Sequence, residues 1–199
     1  MTSDHRQLIA PEFSEMIIVP KRRARLFFFD ETDIHWCPDT GRIYQLPKNQ
    51  VKVNSPGTDK VRYLLGSVEY PTGEGLYELY PKKRNEEVEQ HLTRLLEMYP
   101  DDFCFVVWDN ATSHTTPMLW PFLLERSDRL LTVPLPTYSP HLNLIEKLWW
   151  YMRQKITRNH FYQNFDELCQ SLVQWLQRLP FDRFHSLMGL KPDLLPVAA

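Results

Sequence analysis

Three carboxylates in this chain stand where apolar sequence meets charge. Asp30 closes the run Leu26–Phe29 in RLFFFDET, Asp109 closes the run in FVVWDNATSH, and Glu146 lies in SPHLNLIEKLWW. A buried, unpaired charge is costly, so acids this close to a core are usually partnered or hold a cation. Three converging carboxylates suit Mg²⁺, which takes oxygen ligands: a few carboxylates plus water and phosphate oxygens. Two such ions about 4 Å apart activate a water or hydroxyl and stabilise the leaving oxygen of an in-line phosphoryl transfer. His114, in the same stretch as Asp109, is expected near the scissile phosphate.

Each acid also has a plainer reading. Taken singly, Asp30 or Asp109 serves as well as a turn former or helix cap, and Glu146 in a first helical turn complements the helix dipole. Leu142, Ile145 and Trp149 surround Glu146 at helical spacing, which sets it at the border of a buried face. A carboxylate-pair glycosidase accounts for two acids but not the third. Glu31 follows Asp30 directly, so on a strand it points to the opposite face and is excluded as a ligand. Asp33, Asp39, Asp101 and Asp102 lie near turns and read as solvated. Zinc hydrolysis is disfavoured, because the histidines form no HxxxH or HExxH pair and Cys37, Cys104 and Cys169 form no CxxC.

The elements that must position these acids follow from hydrophobic periodicity. Leu26–Phe29 reads as a central strand ending on Asp30, and Val61–Tyr70 with Leu76–Tyr80 as a hairpin around a Pro-Thr-Gly-Glu-Gly turn. Asn85 caps a helix with Val88, Leu92, Leu95 and Leu96 on its apolar stripe, ended by Pro100. DFCFVVWD is the next strand, TTPMLWPFLLERS is helical despite Pro121, and Leu130–Val133 is a short strand. PTYSPHLN is a rigid loop feeding a helix that starts near Asn143, and FDELCQSLVQWLQRLP is an amphipathic helix opening on Asn164 or Asp166. The tail from Lys191 is expected to be irregular. This order implies an α/β fold, a mixed sheet with helices on both faces.

Composition sets the frame. The chain has 199 residues, 43% hydrophobic and 13% aromatic, which fits one folded domain with a sizeable core. A net charge of −2 argues against holding nucleic acid by bulk charge, so any contact must come from local basic patches. Lys147, Arg153 and Lys155 follow Glu146 along its helix, where phosphates would lie; a solvated face accounts for them equally well. No apolar stretch reaches membrane-spanning length and no signal-peptide core is present, so a cytoplasmic protein is expected.

The motifs carry a resemblance. FFFDET, VVWDNATSH and YSPHLNLIEKLW match, in order, the three motifs of the DDE transposase superfamily, and residues 25–160 resemble its mariner-like and bacterial insertion-sequence branch. The resemblance implies a ribonuclease H-like fold with a mixed five-stranded sheet. It divides the chain into an N-terminal arm (1–24), a catalytic core (25–160) and a C-terminal helical extension (161–199). It makes Asp30, Asp109 and Glu146 the catalytic, metal-binding triad for two Mg²⁺ ions, with Mn²⁺ as a substitute. Asn110, His114 and Asn143 fall on its phosphate-side positions, joined by Lys147, Arg153 and Lys155. Leu144 departs from the proline common at that helix start, which would soften the loop and leave the ligands intact.

The implied activity is DNA cleavage and strand transfer on element ends and target DNA, by a homo-oligomer. About 25 residues precede the first strand, too few for the family's helix-turn-helix region, so end recognition is expected from a separate or missing module. The alternatives are a domesticated nuclease that cuts without inserting, or an inactive DNA-binding or assembly module of the same fold.

Overall fold

A computed structural model describes residues 22–42, 44, 52–111, 114, 116–137 and 139–189. Most of the expected N-terminal arm and the tail from Lys191 lie outside the described residues. The strands are β1 (Ala24–His35), β2 (Val61–Tyr70), β3 (Gly75–Tyr80), β4 (Phe103–Trp108) and β5 (Leu130–Pro134). They form one sheet in the order β3-β2-β1-β4-β5, antiparallel from β3 to β1 and parallel from β1 to β5. The expected mixed five-stranded sheet is therefore present.

Alternation along β1 sorts its side chains onto two faces. Phe27 and Phe29 are fully buried against α1 (Asn85–Met98), through Val88, Leu92 and Leu95, and against Leu119 and Phe122 of the segment before β5. That segment is a 3₁₀ turn, Pro117–Leu119, followed by α2 (Trp120–Glu125), with Pro121 tolerated in its first turn. Ile34, with Leu64 and Val68 of β2, faces α3 (Ile145–Met152), α4 (Phe165–Gln177) and α5 (Phe181–Met188). Phe165, Leu168, Leu172, Leu176, Phe184 and Met188 share this buried cluster with the β1–β2 residues, so α4 and α5 complete one face of the sheet.

Several local expectations change. β1 does not end at Asp30; it continues to His35, paired with β2 throughout from Leu26↔Tyr70 to His35↔Val61. Its pairing with β4 stops at Phe28↔Val107, so on the β4 side Asp30 lies just beyond the paired strand. Arg84, not Asn85, is the N-cap of α1, and its backbone N–H donates to the Glu87 carboxylate at 3.0 Å. α4 does open on Asn164, whose side chain accepts from the Asp166 N–H at 2.9 Å. The helix after the PTYSPHLN loop starts at Ile145, preceded by a 3₁₀ turn at Pro140–Leu142, and passes into a π-helical stretch over Arg153–Thr157. α5 had no counterpart in the periodicity reading, although Pro180, Asp182 and Gly189 mark its ends.

Candidate active site

The sheet brings two of the three acids side by side. With Phe28 opposite Val107 in the parallel register, Asp30 and Asp109 stand two residues further along, where β4 has ended and its edge opens. This is the carboxyl end of a parallel pair, where α/β sheets commonly place their sites. The third acid, Glu146, is exposed in the first turn of α3, whose buried residues Ile145, Leu148 and Trp149 pack on the same sheet face as Asp30.

Asp30 is buried, and the Trp149 indole N–H donates to its Oδ2 at 3.0 Å. That contact depends on Gly66, which lies directly opposite Asp30 on β2. A Cβ at Gly66 would come within 2.5 Å of Trp149 Cη2 and 2.9 Å of Cζ2, so only glycine leaves room for the indole ring. Burial pushes the Asp30 carboxyl up to about 8, and the neighbouring charges of Glu146, Glu31 and Asp109 push the same way.

Asp109 has a contrasting environment. Its Oδ1 lies 2.9 Å from His114 Nδ1 and accepts from the Ala111 N–H at 3.0 Å. The bond from His114 holds its carboxyl below the ordinary range, against the opposing effect of partial burial. His114 is fully buried, stacked on Trp108 at 4.8 Å with 4° between the planes, and its Nε2 lies 3.1 Å from Glu31 Oε1. Burial alone would lower the imidazole, but hydrogen bonds to Asp109 and Glu31 dominate and lift it to about 10, so it is an imidazolium at neutral pH. Glu146 is shifted up by partial burial and by Asp109, and Arg153 opposes the shift.

The three acids thus sit within one another's electrostatic reach. Among the described residues, no three His, Cys, Asp or Glu side chains are drawn together tightly enough to enclose an ion as they stand. The donor set nonetheless fits a hard divalent cation. It consists of carboxylate oxygens whose mutual repulsion a cation offsets, and such ions complete their shells with water and phosphate. Asn143 adds to the fit: its Nδ2 donates to the Phe29 carbonyl at 3.0 Å, beside Asp30, while its buried Oδ1 has no partner.

The residues expected at the phosphates divide into two groups. Lys147 and Lys155 are exposed, and Lys155 Nζ rests 5.6 Å above the Tyr151 ring. The others already hold partners within the protein. His114 and Asn143 are buried, and both ring nitrogens of His114 face carboxylates. Asn110 is exposed, but its Nδ2 donates to the Leu135 carbonyl at 2.6 Å, tying the ends of β4 and β5. Arg153 turns back to β1, donating to Thr32 Oγ1 at 2.7 Å, the Asp33 carbonyl at 2.9 Å and Asp39 Oδ2 at 3.2 Å. Asp102, expected in solvent, pairs with Arg25. Trp149 was read as core from its spacing, and nothing in the sequence marked its bond to Asp30 or the need for Gly66.

A family model described as DDE superfamily endonuclease matches residues 25–169. The chain is 30% identical over 155 residues to the insertion element IS630 uncharacterized 39 kDa protein of Shigella sonnei, covering 77% of this chain and 43% of that protein. It is 27% identical over 107 residues to the uncharacterized protein y4pE/y4sA of Sinorhizobium fredii, covering 53% of this chain and 76% of that one. The chain therefore spans less than half of the first relative. Among solved structures it is similar to the Mos1 transposase paired-end complex with left transposon end (TM-score 0.64, 18% identity, 92% of this chain and 55% of that one). It is also similar to a Mos1 transposase catalytic domain solved with raltegravir and Mn (TM-score 0.55, 15% identity, 92% and 82%). At these identities the likeness is one of fold, the ribonuclease H-like fold expected from the motifs. No described helix is long and apolar enough to cross a membrane.

Proposed function

The chain belongs to the DDE superfamily endonuclease family, and from that membership we propose that it is the catalytic domain of a DNA transposase, cleaving and joining phosphodiesters with Asp30, Asp109 and Glu146. The observation that carries this reading is the electrostatic coupling of three acids contributed by β1, the end of β4 and the start of α3, with Asp30 raised to about 8. Like charges are gathered at such cost where a cation is meant to sit among them. Mg²⁺ or Mn²⁺ bound there supplies an acidified water and stabilises charge on the leaving oxygen. Asp30 and Asp109 would hold two ions between them, and Glu146 would complete the shell of the second.

In the first step water attacks the phosphorus at the element's end, and the bond to the 3′ oxygen breaks to leave a 3′-hydroxyl. In the second, that hydroxyl attacks a target phosphodiester, forming one P–O bond as another breaks. Trp149 and His114 keep the two aspartates oriented through both steps, and Lys147 and Lys155 meet the DNA backbone. Residues 25–160 form the catalytic unit, and α4 and α5 from the extension pack on its sheet. The partners are element-end and target DNA and a second copy of the chain, in the cytoplasm.

The test is Asp109→Asn, assayed with Mg²⁺ on duplex oligonucleotides spanning the ends of the DNA segment that carries the gene. Cleavage should vanish while the circular-dichroism spectrum and melting curve remain those of a folded protein. Persisting cleavage refutes the triad. A pre-cut donor with a free 3′-hydroxyl then separates joining from cutting: cleavage without a joined product identifies a nuclease that does not insert.

A further inference from the structure

We propose that Glu31 is a positioning residue for the active site: acting through His114, it fixes the orientation of the Asp109 carboxylate. The proposal rests on the role assigned to Asp109 above and adds a residue that the reading of strand alternation set aside. Glu31 does point to the face of β1 opposite Asp30, and it is on that face that His114 lies, among Phe29, Trp108 and Glu31. Beyond Phe28 the β1–β4 pairing has ended, and the imidazole lies between the Glu31 and Asp109 carboxylates.

The ring has little freedom. It is stacked on Trp108, meets the edge of Phe29 at 5.3 Å, and is fully enclosed, while the Glu31 side chain is itself only 7% exposed. Nε2 lies 3.1 Å from Glu31 Oε1, and Nδ1 lies 2.9 Å from Asp109 Oδ1 and 3.2 Å from the Asp109 carbonyl oxygen, so the ring ties Glu31 to both the backbone and the carboxylate of Asp109. The anchor at Glu31 therefore determines where Nδ1 points. The Ala111 N–H donates to Oδ1 of Asp109, the same oxygen that faces the imidazole, and Oδ2 accepts no hydrogen bond among the described residues. A carboxylate held in this way offers a defined lone pair without first having to be turned. Asp30 repeats the device, with Trp149 bound to its Oδ2. Groups placed behind a ligand fix its orientation and basicity, and losing one typically costs about 10- to 100-fold in ion affinity or rate.

The experiment uses Mn²⁺ as the probe and the metal-free protein without DNA as the first sample. Free Mn²⁺ is counted by electron paramagnetic resonance during titration of wild type, Glu31→Ala, Glu31→Gln, Asp109→Asn and the double variant Glu31→Ala/Asp109→Asn. Glu31→Ala should weaken Mn²⁺ binding by about 10-fold or more. Glu31→Gln, which keeps an oxygen acceptor for Nε2, should recover part of that loss. In the Asp109→Asn background, Glu31→Ala should cost little further, because its effect passes through Asp109. In cleavage assays Glu31→Ala should lower kcat with KM for DNA near the wild-type value. Glu31→Gln is the fallback if the alanine variant does not fold.

Equal Mn²⁺ affinity in folded Glu31→Ala or Glu31→Gln and wild type overturns the proposal. So does a loss of the same size with and without Asp109. Failure of the transposase reading looks different: Asp109→Asn would then keep its cleavage activity whatever the Glu31 variants do.

Discussion

Replacing Asp30 by asparagine should make the metal-free protein more stable while abolishing its activity. The Asp30 carboxyl is raised from 3.8 to about 8, by burial first and then by Glu146, Glu31 and Asp109. In the unfolded chain it ionises near its ordinary value, so between these two pH values the folded state holds a proton that the unfolded state has lost. Stability must then fall as pH rises through this window, and the cost is complete above about pH 8. Each pH unit is worth about 1.4 kcal/mol, so a rigid site would lose on the order of 5 kcal/mol. Relaxation and water entry reduce such penalties, and the expected difference is roughly 2 to 3 kcal/mol. Asparagine keeps an oxygen for the Trp149 indole but has no charge to bury. At roughly 2 to 4 °C per kcal/mol for a chain of this size, Asp30→Asn should melt about 4 to 12 °C above wild type at pH 8.5 in EDTA. Near pH 4 the two should almost coincide. Mg²⁺ should raise the wild-type Tm and leave the variant's nearly unchanged. Equal melting at pH 8.5, or Mg²⁺ raising both alike, refutes the reasoning.

Two further variants test the supports and the proposed DNA face. Gly66→Ala puts a methyl group against Trp149 Cη2 and Cζ2, so it should cost about 1 to 3 kcal/mol in urea unfolding and lower cleavage by moving the indole off Asp30. Lys147→Ala with Lys155→Ala removes two exposed cations from α3 and its π-helical continuation, so thermal stability should change by less than about 0.5 kcal/mol. Anisotropy titrations of this pair on labelled duplex DNA at several salt concentrations should give a log K against log salt slope shallower by about one per lost phosphate contact; an unchanged slope removes both lysines from the interface.

The elements were largely legible because each carried its own period: the hairpin, α1, β4 and α4 fall within a residue or two of where alternation and capping put them. Asp30 at the end of its apolar run was half right, since the run's end coincides with the end of pairing to β4 but not to β2. What local pattern could not supply were long-range partners. DNATSH places His114 near Asp109, but nothing in it shows that Glu31 waits on the far side of the ring. The basic character of Arg153 was equally visible, but whether it faces phosphate or β1 depends on the π-helical stretch that carries it toward Thr32 and Asp39. A glycine inside a strand marks close approach, and Gly66 fits that rule, but only the register names its neighbours as Asp30 and Trp149.

The three acids are supported unequally, and the inequality follows from where they stand. Asp30 lies within β1 and is bound by an indole; Asp109 follows β4 and is bound by an imidazole and a backbone N–H. Glu146 lies on an exposed helical turn, and its carboxylate accepts no hydrogen bond among the described residues. Under the proposed two-step reaction, two fixed acids and one adjustable acid would suit a site whose charge distribution changes between an attacking water and an attacking hydroxyl. The fixed pair avoids reorganisation where charge is densest, in keeping with the general advantage of preorganised polar groups. The glutamate has more side-chain torsions than either aspartate and no hydrogen-bond partner among the described residues, so it could adjust between the two proposed steps without disturbing the core. The cost of this arrangement is concentrated at Asp30, which is why the largest gain in metal-free stability is expected from removing the charge of that one residue.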